Sequence, residues 1–260
     1  MKAMQVSMRH LILSLIFSTV LAASTLGLAG CETTKVKKND DSFVTDTLYQ
    51  AAFTAEQSND YKSAIQYYQK LRMRVPDDLD IVLALARNLR YSGAENQAVK
   101  VLEELDSLEE QPSPVLLEYS KIKIALGKSR EAIEWLYIAA ANDSQNWEVY
   151  SILGIAHDLV DEFPQAKQAY EKALGLSQDN PAIYNNMAIS AALSGDLDDA
   201  IAILNSVPRL TRNSAQLRQN LAFFYGVKGD IKSAEALARK DLDEESVQRN
   251  LEIYSQFRAY

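Results

Sequence analysis

Residues 147–180 read WEVYSILGIAHDLVDEFPQAKQAYEKALGLSQDN, and the fold follows from how that stretch repeats along the chain. Within it, Trp147, Leu153-Gly154, Ala166, Tyr170 and Ala173 mark two short helices separated by a stop at Asp161. Ala166 is one of six alanines, with Ala64, Ala98, Ala132, Ala200 and Ala234, that recur every 34 residues without insertion or deletion. Five positions before each stands Asn59, Gly93, Gly127, Asp161, Gly195 or Gly229, the residue types that tolerate the left-handed conformation ending a helix. Twelve before each is a small residue: Ala52, Ala86, Ser120, Gly154, Ala188 or Ala222. Four after each comes Tyr68, Leu102, Leu136, Tyr170, Leu204 or Ala238. The pattern predicts a helix A of about 14 residues, a turn, and a helix B. Small residues at one level of both helices let the backbones approach, and larger ones above and below fill the space between units.

A 34-residue helix–turn–helix period resembles the tetratricopeptide repeat. The resemblance spans about residues 45–241 and implies an all-α superhelix of six repeats, within a domain at 43–260. Asp243 can cap a last helix over 243–258, with Glu244 and Glu245 in its first turn. Val247, Leu251, Tyr254 and then Phe257 or Arg258 follow at helical spacing, an apolar stripe that suits a helix covering the open end of a solenoid. At the other end, Phe43, Leu48 and Tyr49 begin the first helix, and Asp40, Asp41 or Ser42 is available to cap it.

Composition agrees with an all-helical chain. Only 9 Gly and 6 Pro in 260 residues leave little turn chemistry for many short strands. The net charge of −8 argues against a nucleic-acid partner, which calls for a basic excess. A single Cys excludes an internal disulfide and a Cys-rich zinc or iron–sulfur site.

That one Cys is Cys31. Lys2, Arg9 and His10 precede an uncharged run from Leu11 to Gly30, the layout of a secretory leader over 1–30. The junction Leu28-Ala29-Gly30-Cys31 resembles the bacterial lipobox, which implies cleavage before Cys31 and acyl chains on it that hold the protein to a membrane. Two or more chains anchor stably where one is marginal. Glu32 rather than Asp follows, which in the lipoprotein sorting rule points to the periplasmic face of the outer membrane. Losing Lys2 and Arg9 takes the net charge from −8 to −10. Residues 31–42 read as a tether, with Val36 its only sizeable apolar residue after the Cys.

Nothing in the remaining sequence spells catalysis, a metal site or a cofactor. His157 is the one histidine left after cleavage and falls where the repeat packs an aromatic, so it reads as structural, and Asp158 points about 100° away on the same helix. Acid clusters at Asp77-Asp78-Asp80, Glu103-Glu104-Asp106-Glu109-Glu110 and Asp196-Asp198-Asp199 lack the spacing of a calcium loop and read as solvated helix starts and turns.

The repeat does offer a groove. In this fold, helix-A positions 2, 5, 9, 12 and 13 line the concave face. Position 5 is Tyr49, Leu83, Leu117, Ser151, Asn185, Gln219, and position 9 is Phe53, Arg87, Lys121, Ile155, Ile189, Phe223. Phe53, Leu83 and Leu117 are expected to form an exposed apolar line, with Arg87, Arg90, Tyr91 and Lys121 beside it, of which Arg87 and Lys121 favour an acidic segment. The second half, with Ile155, Asn185, Ile189, Gln219 and Phe223, is apolar and amide-lined. Such a surface suits an extended or helical peptide.

The last repeats are more specific. Tyr184-Asn185-Asn186-Met187-Ala188 is followed by Ala191, Gly195 and Ala200-Ile201, then by Arg218-Gln219-Asn220-Leu221-Ala222, Gly226, Gly229, Ala234-Glu235, Ala238-Arg239 and Asp241-Leu242. This series is similar to the TadD family, repeat lipoproteins of the Tad (tight adherence, Flp) pilus assembly system. Phe223-Phe224-Tyr225 is more aromatic than that family's pattern. The resemblance implies a non-enzymatic pilotin that helps the secretin of the Tad machine assemble, with other pilus-assembly proteins as further partners. The alternatives are an adaptor lipoprotein recruiting a peptidoglycan hydrolase or protease, and a pilotin of another type IV pilus or secretion system.

Overall fold

The computed structural model describes residues 40–208 and 214–258. The leader 1–30, Cys31 and the tether up to residue 39 lie outside the described residues. Among the described residues every regular element is helical. They divide into two compact units, 40–144 and 145–258.

The N-terminal unit holds three hairpins. They are α1 (Asp40–Gln57) with α2 (Tyr61–Arg74), α3 (Leu79–Tyr91) with α4 (Glu95–Glu103), and α5 (Ser113–Ala125) with α6 (Ser129–Asn142). The C-terminal unit pairs α7 (Trp147–Asp158) with α8 (Phe163–Leu176), α9 (Pro181–Ser194) with α10 (Leu197–Ser206), and α11 (Ala215–Lys228) with α12 (Ile231–Ala238). It ends in α13 (Glu244–Arg258).

The expected frame is present in both units. All six alanines spaced by 34 are fully buried, as are the small partners Ala52, Ala86, Ser120, Ala188 and Ala222. At Gly154 the closeness is measurable: a Cβ there would lie 2.5 Å from Cε1 of Tyr170, so the tyrosine ring occupies the space a side chain would need. All six helix stops have positive φ. Asn59 and Asp161 sit at φ 56° and 65°, inside the left-handed region that short polar residues visit, whereas Gly195 and Gly229 sit at 97° and 101°, where only glycine is comfortable.

Helix starts are capped by the acids that form the sequence clusters. Asp78 accepts from the amides of Asp80 and Ile81, Asp196 from Asp199, and Asp230 from Ser233. Two boundaries differ from the sequence expectation. The first helix begins at Asp40, so Asp40–Ser42 lie in its opening turn rather than before it. After α4, Ser107 adopts φ 49° and Leu108–Glu110 form a short 3-10 turn, the form taken by the acidic inter-repeat cluster.

The final helix docks as its stripe predicts. Asp243 accepts from Ser246 N at 2.8 Å, Val247 and Tyr254 are buried, and Glu244 pairs with Arg239 at 3.0 Å. Tyr254 packs so closely on Gly226 that no side chain fits at that glycine. Among the described residues no helix is long and apolar enough to cross a membrane.

Candidate functional site

The A helices α1, α3 and α5 place Tyr49, Phe53, Leu83, Arg87, Tyr91, Leu117 and Lys121 in the N-terminal unit, but not as one exposed line. Phe53 is 48% exposed, Tyr49, Leu83, Arg87, Tyr91 and Lys121 are half-buried, and Leu117 is 5% exposed. The apolar surface offered to a partner is therefore centred on Phe53, with Tyr49 one turn before it and Leu83 on the next A helix.

Arg87 and Arg90 beside it are engaged, which corrects the part of the expected preference for an acidic segment that rests on Arg87. Arg87 donates from Nε to Glu56 Oε1 at 2.8 Å, and the Tyr68 hydroxyl donates to the other oxygen at 2.9 Å. Arg90 meets Glu118 through two bonds of 2.7 and 3.3 Å, and both side chains are buried. Burial alone would raise the Glu118 carboxyl, but Arg90, helped by Lys121 and Arg87, holds it below the usual carboxylate range. The Arg90 guanidinium also lies 4.4 Å from the Tyr91 ring centroid. These charges bind the repeats to each other.

In the C-terminal unit the corresponding positions are mostly covered. Ile155, Asn185, Ile189 and Phe223 are buried and Gln219 is half-buried. Between the A helices the contacts are neutral amides: Asn220 Nδ2 donates to Asn185 Oδ1 at 2.5 Å, and Asn186 Nδ2 to Ser151 Oγ at 3.3 Å. Gln219 Nε2 donates to Asp241 at 3.1 Å. Asn185 Nδ2 and Gln219 Oε1, at position 5 of successive A helices, are buried without a hydrogen-bond partner. One is a donor and the other an acceptor, and leaving such groups unmade costs about 1–3 kcal/mol each.

The sequence reading missed Asp158. It is buried in α7, where it accepts from the Tyr170 hydroxyl at 2.8 Å and from Ser190 Oγ at 2.6 Å. Burial pushes its carboxyl up to about 7, against the smaller opposing effect of the two hydroxyls. Tyr170 and Ser190 also line a half-open cavity of about 350 Å³ between α8, α9 and α10, with Phe163, Met187 and Ile203. His157, on the same helix, is buried with Nδ1 2.8 Å from Glu162. Ser190 is thus bonded to the acid and His157 to a different one. A signal was available: Asp158 is the only acid in the run SILGIAHDLV, in which Ser151 to His157 are all buried.

Comparison with known proteins agrees with this architecture. Two tetratricopeptide-repeat family models match, over residues 46–78 and 161–222. The crystal structure of PilW, described as a widely conserved type IV pilus biogenesis factor, superposes with a TM-score of 0.68 at 18% identity, covering 82% of this chain and 100% of that one. A thermophilic repeat protein of Thermus thermophilus, TTC0263, gives 0.62 at 19% identity over 69% of this chain and 98% of that one. Among curated proteins, the BBSome complex member BBS4 of Bos taurus is 25% identical over 136 residues, 52% of this chain. The chain spans about a quarter of the length of such curated relatives, 26% for the bovine protein. The chain has the tetratricopeptide-repeat fold. It is a protein-interaction scaffold of that kind.

Proposed function

We propose that this scaffold is a non-enzymatic lipoprotein, anchored through Cys31 on the periplasmic face of the outer membrane, that assists assembly of the Tad (Flp) pilus secretin. The observation that carries the reading is the surface around Phe53 on α1 and α3, an aromatic half exposed to solvent where the repeat presents its ligand-binding helices. The lipobox, the terminal TadD-like series and the pilus role named for PilW support the choice of system. Because Arg87 and Arg90 are paired with Glu56 and Glu118, the bound secretin segment is apolar rather than acidic.

Deleting the gene and following heat- and detergent-resistant secretin multimers tests the proposal. Loss of multimers with secretin monomer still made is the expected result. Intact multimers together with altered peptidoglycan turnover would replace it with the adaptor reading.

A further inference from the structure

Six large apolar side chains stand exposed among the described residues. Phe53 belongs to the A-helix face, and Tyr137 is exposed on α6. The other four are Phe43 and Val44, 65% and 41% exposed at the start of α1, and Met73 and Val75, 79% and 37% exposed where α2 stops. Because α1 and α2 run antiparallel, both pairs lie at one end of the first hairpin, and Arg74 Nε reaches Thr45 Oγ1 at 3.4 Å there.

Their directions matter. Phe43 precedes the buried Ala52 by nine residues and Met73 follows the buried Ala64 by nine. Nine steps of 100° amount to a half turn, so each side chain points away from the α1–α2 seam, on opposite sides of the hairpin. A groove on a partner protein would contact one side. A lipid surface meeting the end of the hairpin contacts both.

We infer that this end, ringed by Phe43, Val44, Met73 and Val75, seats in the headgroup region of the bilayer that holds the acyl chains. The inference rests on the proposed lipid anchor at Cys31. Nine steps of chain lead from Cys31 to the start of α1 at Asp40, a reach of about 30 Å at full extension, so the membrane surface is within range of the hairpin end. Lys35, Lys37 and Lys38 lie on that connection and Arg74 at the rim, while Asp46, Asp77 and Asp78 are close by in sequence to the apolar residues. With charges of both signs, apolar insertion supplies the contact and the lysines the approach to anionic headgroups. A hairpin seated end-on fixes the angle at which the A-helix face is held over the membrane.

Cys31 is the only cysteine, and acylation blocks its thiol, so Met73→Cys and Phe43→Cys each give the lipidated full chain one site for a nitroxide label. The labelled proteins are reconstituted in phosphatidylethanolamine–phosphatidylglycerol vesicles, with Tyr137→Cys as the reference site. Paramagnetic accessibility to oxygen and to a water-soluble nickel chelate is then measured. Both hairpin labels should show a several-fold higher oxygen-to-nickel ratio than the Tyr137→Cys label. Ratios equal to the reference, or a raised ratio at only one of the two, would overturn the end-on seat. Spin–spin broadening at Met73→Cys would assign the surface to a second copy of the chain instead. Failure of the unlabelled protein to float with vesicles would defeat the lipid anchor itself, a different and separately visible result.

Discussion

Phe53 and Phe223 occupy the same place in the 34-residue frame, position 9 of the first and sixth repeats, and meet opposite fates. Phe223 is 5% exposed, packed against Phe224, Tyr254 and Phe257 at centroid distances of 5.7, 5.5 and 6.2 Å, because α13 closes over it. Phe53 has no such cover and is 48% exposed. The frame assigns each residue a direction, while the elements nearby decide whether that direction is core or surface. The same contrast runs through the polar contacts. Neighbouring helices in 40–144 are tied by ion pairs, Arg72–Glu104, Arg87–Glu56, Arg90–Glu118 and Lys123–Glu131. In 145–258 the ties between A helices are uncharged amide contacts, Asn185–Asn220 and Ser151–Asn186, and the hydroxyl–carboxyl contact Ser190–Asp158, while the ion pair Arg218–Asp241 joins α11 to the segment that follows α12.

The largest expected effect separates the two phenylalanines. Phe223→Ala should cost about 3–5 kcal/mol in urea unfolding through the cavity left under α13, whereas Phe53→Ala should change stability by less than about 0.5 kcal/mol. Equal costs would mean that α13 does not close the C-terminal repeat.

Close to this in size is removal of one member of the buried ion pair. Glu118→Ala strands the Arg90 guanidinium in the interior and should cost about 3–5 kcal/mol. Asn220→Ala, which breaks a neutral amide contact in the other unit, should cost about 1 kcal/mol. If the two costs converge, the division between charged and neutral ties has no energetic content.

Acid–base behaviour sharpens the comparison from the other side. The unfolded chain releases the Asp158 proton near 3.8, while the buried carboxyl keeps it up to about 7. The native state therefore holds the extra proton between those values. The resulting stabilisation is fully present below 3.8 and is lost as pH rises through about 7. At about 1.4 kcal/mol per unit this amounts to about 4 kcal/mol at most. Thermal melts of the wild type should fall between pH 5 and 8, and Asp158→Asn, which cannot ionise, should flatten that slope. Equal slopes in both proteins would place the titration elsewhere.

Smaller again is overpacking of the frame itself. Ala132→Leu enters a site with no spare volume and should cost about 1–3 kcal/mol, while Ala141→Leu, exposed near the end of the same helix, should be nearly silent in the same melts.

The backbone was legible because it depends on residue types at fixed spacing. The six alanines, the six positive-φ stops and the stripe Val247, Leu251, Tyr254 fix helices and turns with no knowledge of side-chain partners. The candidate face was legible only in part. That Arg87 belongs to Glu56 and Arg90 to Glu118 depends on rotamers reaching between neighbouring A helices. The signal was an opposite charge 31 and 28 residues away, close to one repeat period. Burial at Leu117 (position 5) and at Ile155, Ile189 and Phe223 (position 9) was hidden for a related reason: a place in the repeat reports direction, and cover comes from elements elsewhere in sequence. Asp158 points away from His157 as expected, but its burial was not legible because Tyr170 and Ser190 reach it from α8 and α9, 12 and 32 residues away.

The central claim is that the scaffold holds a partner segment on the Phe53 face, and capture of purified secretin by the purified protein tests it most directly. Phe53→Glu places a charge where apolar burial is required, so secretin capture should be lost. The circular dichroism melt should match the wild type, since Phe53 stands half in solvent. Undiminished capture by a fully folded Phe53→Glu protein would contradict the claim and move the binding surface off the N-terminal A helices.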